Sequence, residues 1–176
     1  MSDVFIEQLV KRQKDSKQRM LRSLIVAGMA LLALLPVVLF FFQLLQFFSI
    51  GLVVMCGGCW LLITLHKRTY LEHEYIFTNG DLDVDKIMGK MARKRVLTVN
   101  VRNFEILAPY TKDYASEYNS QSIQVRLDFS SGLEQNRRCF AIFSGKDSQR
   151  TLMIFEPNEK VVDAMKPYTR GKMKGL

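Results

Sequence analysis

The sequence predicts a membrane helical hairpin followed by a mainly-β (α+β) domain. In that domain seven antiparallel strands curl into a sheet or barrel capped by a C-terminal helix. Three observations carry this fold class. Leu24 to Leu65 is a run of 42 residues without one Asp, Glu, Lys or Arg. From Tyr70 onward apolar residues recur at every second position in short runs separated by turn residues, which is the period of strands. The last apolar pattern, Val161, Val162, Met165 and Tyr168, returns to helical spacing.

At 1.5 Å per residue the uncharged run would make a helix of about 63 Å, roughly twice the hydrocarbon thickness of a bilayer. It divides at its least apolar point, Gln43 to Gln46, into Leu24–Phe42 and Phe47–Leu65, each long enough for one crossing. Lys11, Arg12, Lys14, Lys17, Arg19 and Arg22 precede the first span, Lys67 and Arg68 follow the second, and the turn carries no Lys or Arg. The positive-inside bias then puts the chain in the cell membrane with two spans and both termini cytoplasmic. A cleaved signal peptide fits less well, because the run is far longer than a signal h-region and no small-residue cleavage site follows it. The expected organisation is a basic amphipathic segment (1–23), the hairpin (24–66, spans at about 24–42 and 47–65) and a cytoplasmic domain (67–176).

The net charge of +8 divides into +3 before the spans and +5 from Lys67 onward. A basic chain tied to a bilayer most simply meets anionic lipid headgroups, at about 1 kcal/mol per cation held near the surface. Nucleic acid is disfavoured, since the cations are scattered and no recognition motif is present. Cys56 and Cys59 fall inside the second span and Cys139 in a strand, so there is no disulfide framework, in keeping with a reducing cytoplasm.

Taken in order, Val4, Phe5, Ile6, Leu9 and Val10 have the spacing of an amphipathic helix, which can lie in the headgroup layer or pack on the soluble domain. Ser2 stands where myristoylation needs Gly. Pro36 is tolerable in the first span, where a kink or a neighbouring helix accommodates it. Cys56-Gly57-Gly58-Cys59 has redox spacing. Its apolar surroundings lack the exposed helix start that such chemistry uses. Gly51, Cys56, Gly57 and Gly58 instead suit close approach of the two spans, or of a partner helix.

Tyr70 to Thr78 alternates and ends at Asn79-Gly80, the strongest short hairpin signal. Asp81, Asp83 and Asp85 then share one strand face. They fail as a calcium loop, because Lys86 and Ala92 stand where Gly and Glu are needed. His73 has no histidine partner at ligand spacing, and no metal site or cofactor is expected. Lys90, Arg93, Lys94 and Arg95 form the densest basic cluster of the domain, suited to anionic lipid or to an ordinary solvated loop. Strands are expected from Leu97 to Val101 and from Phe104 to Ala108. Tyr110, Tyr114 and Tyr118 recur every four residues, either covering one end of the core or forming a binding surface, the first being favoured. Ile123 to Phe129, Cys139 to Phe143 and Thr151 to Phe155 complete the strands, and Asn158 can cap the closing helix.

This order of elements resembles the pleckstrin-homology-like (PH-like) fold. The layout, with its basic start, tight hairpin and the strand pair YLEHEYIFTNGDLDVDKI, is similar to that of bacterial membrane proteins carrying a PH-like domain. The resemblance implies binding and not catalysis. Inositide-binding PH domains carry their cations between the first two strands, and in this reading that connection is the tight Asn79-Gly80 turn.

The expected function is therefore a non-enzymatic, membrane-anchored adaptor whose PH-like domain contacts a protein partner or lipid headgroups. No nucleic acid and no small-molecule substrate are expected. The alternative is a small accessory subunit that joins a larger membrane complex through its hairpin.

Overall fold

The computed structural model describes residues 4–13, 16–41, 47–89, 92–133, 137–145 and 148–176. The turn expected at Gln43 to Gln46, and Lys90 of the basic cluster, lie outside the described residues. Two compact units result: Met1–Gln13 with Leu71–Ile87 and Ala92–Leu176, and Lys14–Tyr70 with Met88–Met91.

Among the described residues the first unit contains eight strands in two four-stranded sheets, where the sequence predicts seven strands and a curled sheet or barrel. One sheet has the order β1 (Phe5–Lys11), β2 (Leu71–Thr78), β3 (Asp81–Met88), β4 (Ala92–Asn100). The other runs β5 (Phe104–Pro109), β7 (Cys139–Ser144), β8 (Arg150–Phe155), β6 (Val125–Asp128). It is not purely antiparallel, since β6 lies parallel to β8. Among the described residues no closed barrel forms: β4 ends one sheet and β6 ends the other.

The additional strand is β1. Its residues were read as an amphipathic helix, yet they pair antiparallel with β2 from Phe5↔Thr78 to Lys11↔Glu72. Apolar side chains on both parities allowed either period. A short isolated helix is marginal in water, whereas a strand gains a ladder of hydrogen bonds from a formed sheet. The strand turns Val10 into the core and leaves Phe5 and Leu9 exposed.

The main core lies where both sheets and the C-terminal helix (Glu159–Thr169) meet, with Tyr75, Phe77, Leu82, Phe104, Phe155 and Met165 fully buried. Asn158 caps this helix, its side-chain oxygen accepting from Val161 N–H at 2.9 Å. Asn79 and Gly80 both have positive φ in the β2–β3 turn. A Cβ on Gly80 would stand 2.8 Å from the Tyr168 ring, so backbone freedom and space both require glycine there. The second sheet is apolar on both faces. Leu107, Ala141, Phe143 and Met153 enter the main core, while Ile106, Phe140, Ile142 and Leu152 form a second cluster.

The second unit is an antiparallel helix pair, α1 (Ser16–Phe41) and α2 (Phe48–Arg68). Arg19–Phe41 and Phe48–Lys67 are long and apolar enough to cross a membrane. The pairing is read from close contacts: positions 28, 32 and 39 of α1 meet positions 62, 58 and 51 of α2. Pro36 lies within α1 without ending it.

Candidate functional site

The connection between β1 and β2 is the apolar helix pair itself. Arg12 N–H donates to the Leu71 carbonyl at 3.1 Å, and Lys11 stands opposite Glu72. The first strand pair therefore brackets both helices, and the Asn79-Gly80 turn joins the second and third strands. The cations between the first two strands are the flanks of the spans, among them Arg12, Arg19, Arg22 and Lys67.

Arg22 is the most constrained of these. Nε donates to Thr69 Oγ1 at 2.6 Å, Nη2 donates to the Thr69 carbonyl at 2.9 Å, and the guanidinium lies 4.0 Å from the Tyr70 ring centroid. Thr69 is itself fixed, its hydroxyl donating to the His66 carbonyl at 2.7 Å. The sequence marks Arg22 only as the last charge before the uncharged run; its hydrogen-bond partner Thr69, 47 residues away, leaves no local signal.

Within the basic cluster, Arg93 pairs with Glu74 at 2.6 Å, and Arg95 with Asp83 at 2.8 Å and Asp85 at 2.9 Å. The aspartates that share a face on β3 thus serve β4, and Asp83 and Asp81 also accept from Thr98 and Asn100, each at 2.6 Å. Arg93, Lys94 and Arg95 are exposed on β4, and opposite them stand three carboxylates. The strip is close to neutral.

Tyr110, Tyr114 and Tyr118 pack around Phe140, with Tyr110 and Tyr118 4.3 Å apart between centroids. They belong to the second cluster and cover the outer face of the second sheet. In the hairpin, a Cβ on Gly51 would meet Leu39 at 2.6 Å and one on Gly58 would meet Leu32 at 2.8 Å, while Gly57 has nothing within 4 Å and Cys56 is exposed.

A buried polar network ties β1 to the rest of its unit. Glu156 Oε1 accepts from Ser131 N–H at 3.0 Å and from its hydroxyl at 2.8 Å. Gln8 donates to the Glu156 carbonyl at 2.7 Å and accepts from Asn158 N–H at 2.8 Å. Tyr75 donates to the Phe129 carbonyl at 2.8 Å and accepts from Glu156 N–H at 3.2 Å. Burial, the Phe129 ring and the cations Arg12 and Lys86 surround His73, and burial foremost holds its pKa down to about 4. Burial likewise pushes the Cys139 thiol up to about 11, which keeps it protonated and unreactive. Among the described residues no three His, Cys, Asp or Glu gather as a metal site.

Along the edge strands β4 and β6 runs a groove of about 610 Å³, lined by Leu97, Val99, Val125, Leu127 and Phe143, with Arg95 and Thr98. It contains no carboxylate among its described lining residues. The sequence could not announce it, because it depends on which strands end the two sheets.

No curated protein and no solved structure matches the chain. The model of one family does match, over residues 2–175, nearly the whole length and including the hairpin. With its two apolar helices inserted in a mainly-β unit that closes on a C-terminal helix, the chain belongs to the bacterial PH-like domain family (DUF6106).

Proposed function

We propose that the protein is a non-enzymatic, membrane-anchored binding protein. Its hairpin crosses the cell membrane twice, both chain ends lie in the cytoplasm, and the PH-like domain contacts a protein partner or anionic headgroups at that face. The observation that carries this reading is the hairpin's place between two hydrogen-bonded strands. Chain leaving β1 and chain entering β2 start from neighbouring residues, which supports an even number of crossings, and the basic flanks adjoin those residues in sequence. The near-neutral strip on β4 weakens the case for lipid at Arg93 to Arg95, and the open groove favours a protein segment there. Reporters fused at Met1 and after Leu176 should both behave as cytoplasmic; opposite locations would overturn the reading.

A second reading, an accessory subunit assembled through the hairpin, draws support from Gly57 and Cys56, where α2 leaves room for another helix. A pull-down comparing the hairpin with the domain separates the two. Partners recovered only by the hairpin favour the accessory subunit.

A further inference from the structure

We infer that Arg22 anchors a phosphate-binding site at the foot of the hairpin, and that its ligand is the phosphate of a phospholipid headgroup. The inference rests on the membrane-anchored reading and extends it to a named residue.

Arg22 is only 7% exposed, yet all its partners are neutral: the Thr69 hydroxyl, the Thr69 carbonyl and the Tyr70 ring. Its Nη1 is buried without an acceptor, and among the described residues no carboxylate pairs with it. A guanidinium stays charged at any physiological pH, so the charge cannot be relieved by losing a proton. The end of α2 offers compensation of roughly half an elementary charge. An anion from outside the chain completes the balance.

The surroundings select a phosphate at the membrane surface. Arg22 lies two residues before the uncharged run begins, and Thr69 four residues after it ends, which is the depth of headgroups and not of acyl chains. His66 Nδ1 is a second buried nitrogen without a partner, on a ring 5.7 Å from that of Tyr70. Arg19, one helical turn before Arg22, and Lys67, next to His66, are both exposed, so further cations stand within reach of the same headgroup. Because the guanidinium charge is delocalised, an anion that reaches Nη1, which has no acceptor, neutralises it without displacing Thr69.

The test uses the full chain in a neutral detergent, with the unfolding temperature as readout. Added ligands are short-chain phosphatidylglycerol, the matching diacylglycerol without phosphate, and inorganic phosphate. Saturating phosphatidylglycerol should raise the midpoint by on the order of 5 °C through preferential binding to the folded state. Diacylglycerol should not, and Arg22→Gln should abolish the rise. An equal rise in Arg22→Gln, or with diacylglycerol, overturns the site. An equal rise from inorganic phosphate that Arg22→Gln removes supports the phosphate site and overturns the lipid as its source. If Arg22→Gln does not fold, Arg22→Lys replaces it, keeping the charge without the planar fork; a smaller rise supports the site and an undiminished one overturns it. Carbonate extraction of membranes reports anchorage separately, so a chain that resists extraction but shows no Arg22-dependent rise loses the site and keeps the anchor.

Discussion

Arg12 and Leu71 are joined by a backbone hydrogen bond of 3.1 Å although 58 residues lie between them. It extends the β1–β2 ladder by one step beyond Lys11↔Glu72. At this place a soluble hairpin would have a short turn, and this chain has two apolar helices instead.

Residues 14–70 should therefore be replaceable by a short Gly/Ser turn joining Gln13 to Leu71. Strands this close need only a few linking residues. The closed chain should be soluble, mostly β by circular dichroism, and melt cooperatively. A fragment of residues 68–176 should be less stable than the closed chain, because it lacks buried Val10 and the Gln8 bonds to Glu156 and Asn158. Equal melting of the two would show that β1 contributes nothing to the unit.

What the sequence disclosed follows the range of the forces involved. The 42-residue uncharged run and the alternation of Ile123 to Phe129 are local patterns: Leu24 to Phe41 lie in α1, which starts eight residues earlier at Ser16, Phe48 to Leu65 lie in α2, and Ile123 to Phe129 contains β6. Pairing across long separations is not local. Val4 to Val10 carries apolar residues on both parities, and only β2, more than 60 residues on, selects the strand. The parallel placement of β6 beside β8 and the partners of Arg22 are of the same kind. Tyr110, Tyr114 and Tyr118 were visible as a set, but Phe140, which gathers them, was not.

His73 gives the closed chain a defined pH dependence. Its pKa is about 4 when folded, against an ordinary histidine value of 6.5, so between these values the unfolded chain binds more protons. Stability from this group is complete above pH 6.5 and falls as the pH drops toward 4, by about 3 kcal/mol in total. His73→Gln should flatten that part of the profile of unfolding free energy against pH. A slope unchanged by the substitution would assign it to carboxylates instead.

The hairpin glycines should divide by the face they occupy. Gly51 and Gly58 meet Leu39 and Leu32, whereas Gly57 meets nothing. The contacts are with tips of flexible side chains, so Ala should cost little at either site. Gly51→Leu or Gly58→Leu should destabilise the pair by about 1–3 kcal/mol through overpacking, and Gly57→Leu much less. Thermal unfolding in detergent measures this. Equal losses at positions 57 and 58 would contradict the register of the pair.

The ladder of charge on β3 and β4 yields the last prediction. Asp85 is 3% exposed and receives Arg95 Nε at 2.9 Å, while Asp83 receives Nη1 at 2.8 Å. Removing the arginine would leave the Asp85 carboxyl buried and short of a donor, a costlier state than losing an exposed pair. Arg93 pairs with Glu74, which is also largely buried. Lys94, between them in sequence, has no ion pair among the described residues. Arg95→Gln should therefore lower the melting temperature of the closed chain most, Arg93→Gln less, and Lys94→Gln least. The differences should narrow as salt screens the exposed ends of the pairs. In Asp85→Asn the further effect of Arg95→Gln should shrink, since the carboxylate it served is gone. A loss from Lys94→Gln as large as that from Arg95→Gln would mean that only net charge matters on this strand and that its pairs add nothing specific.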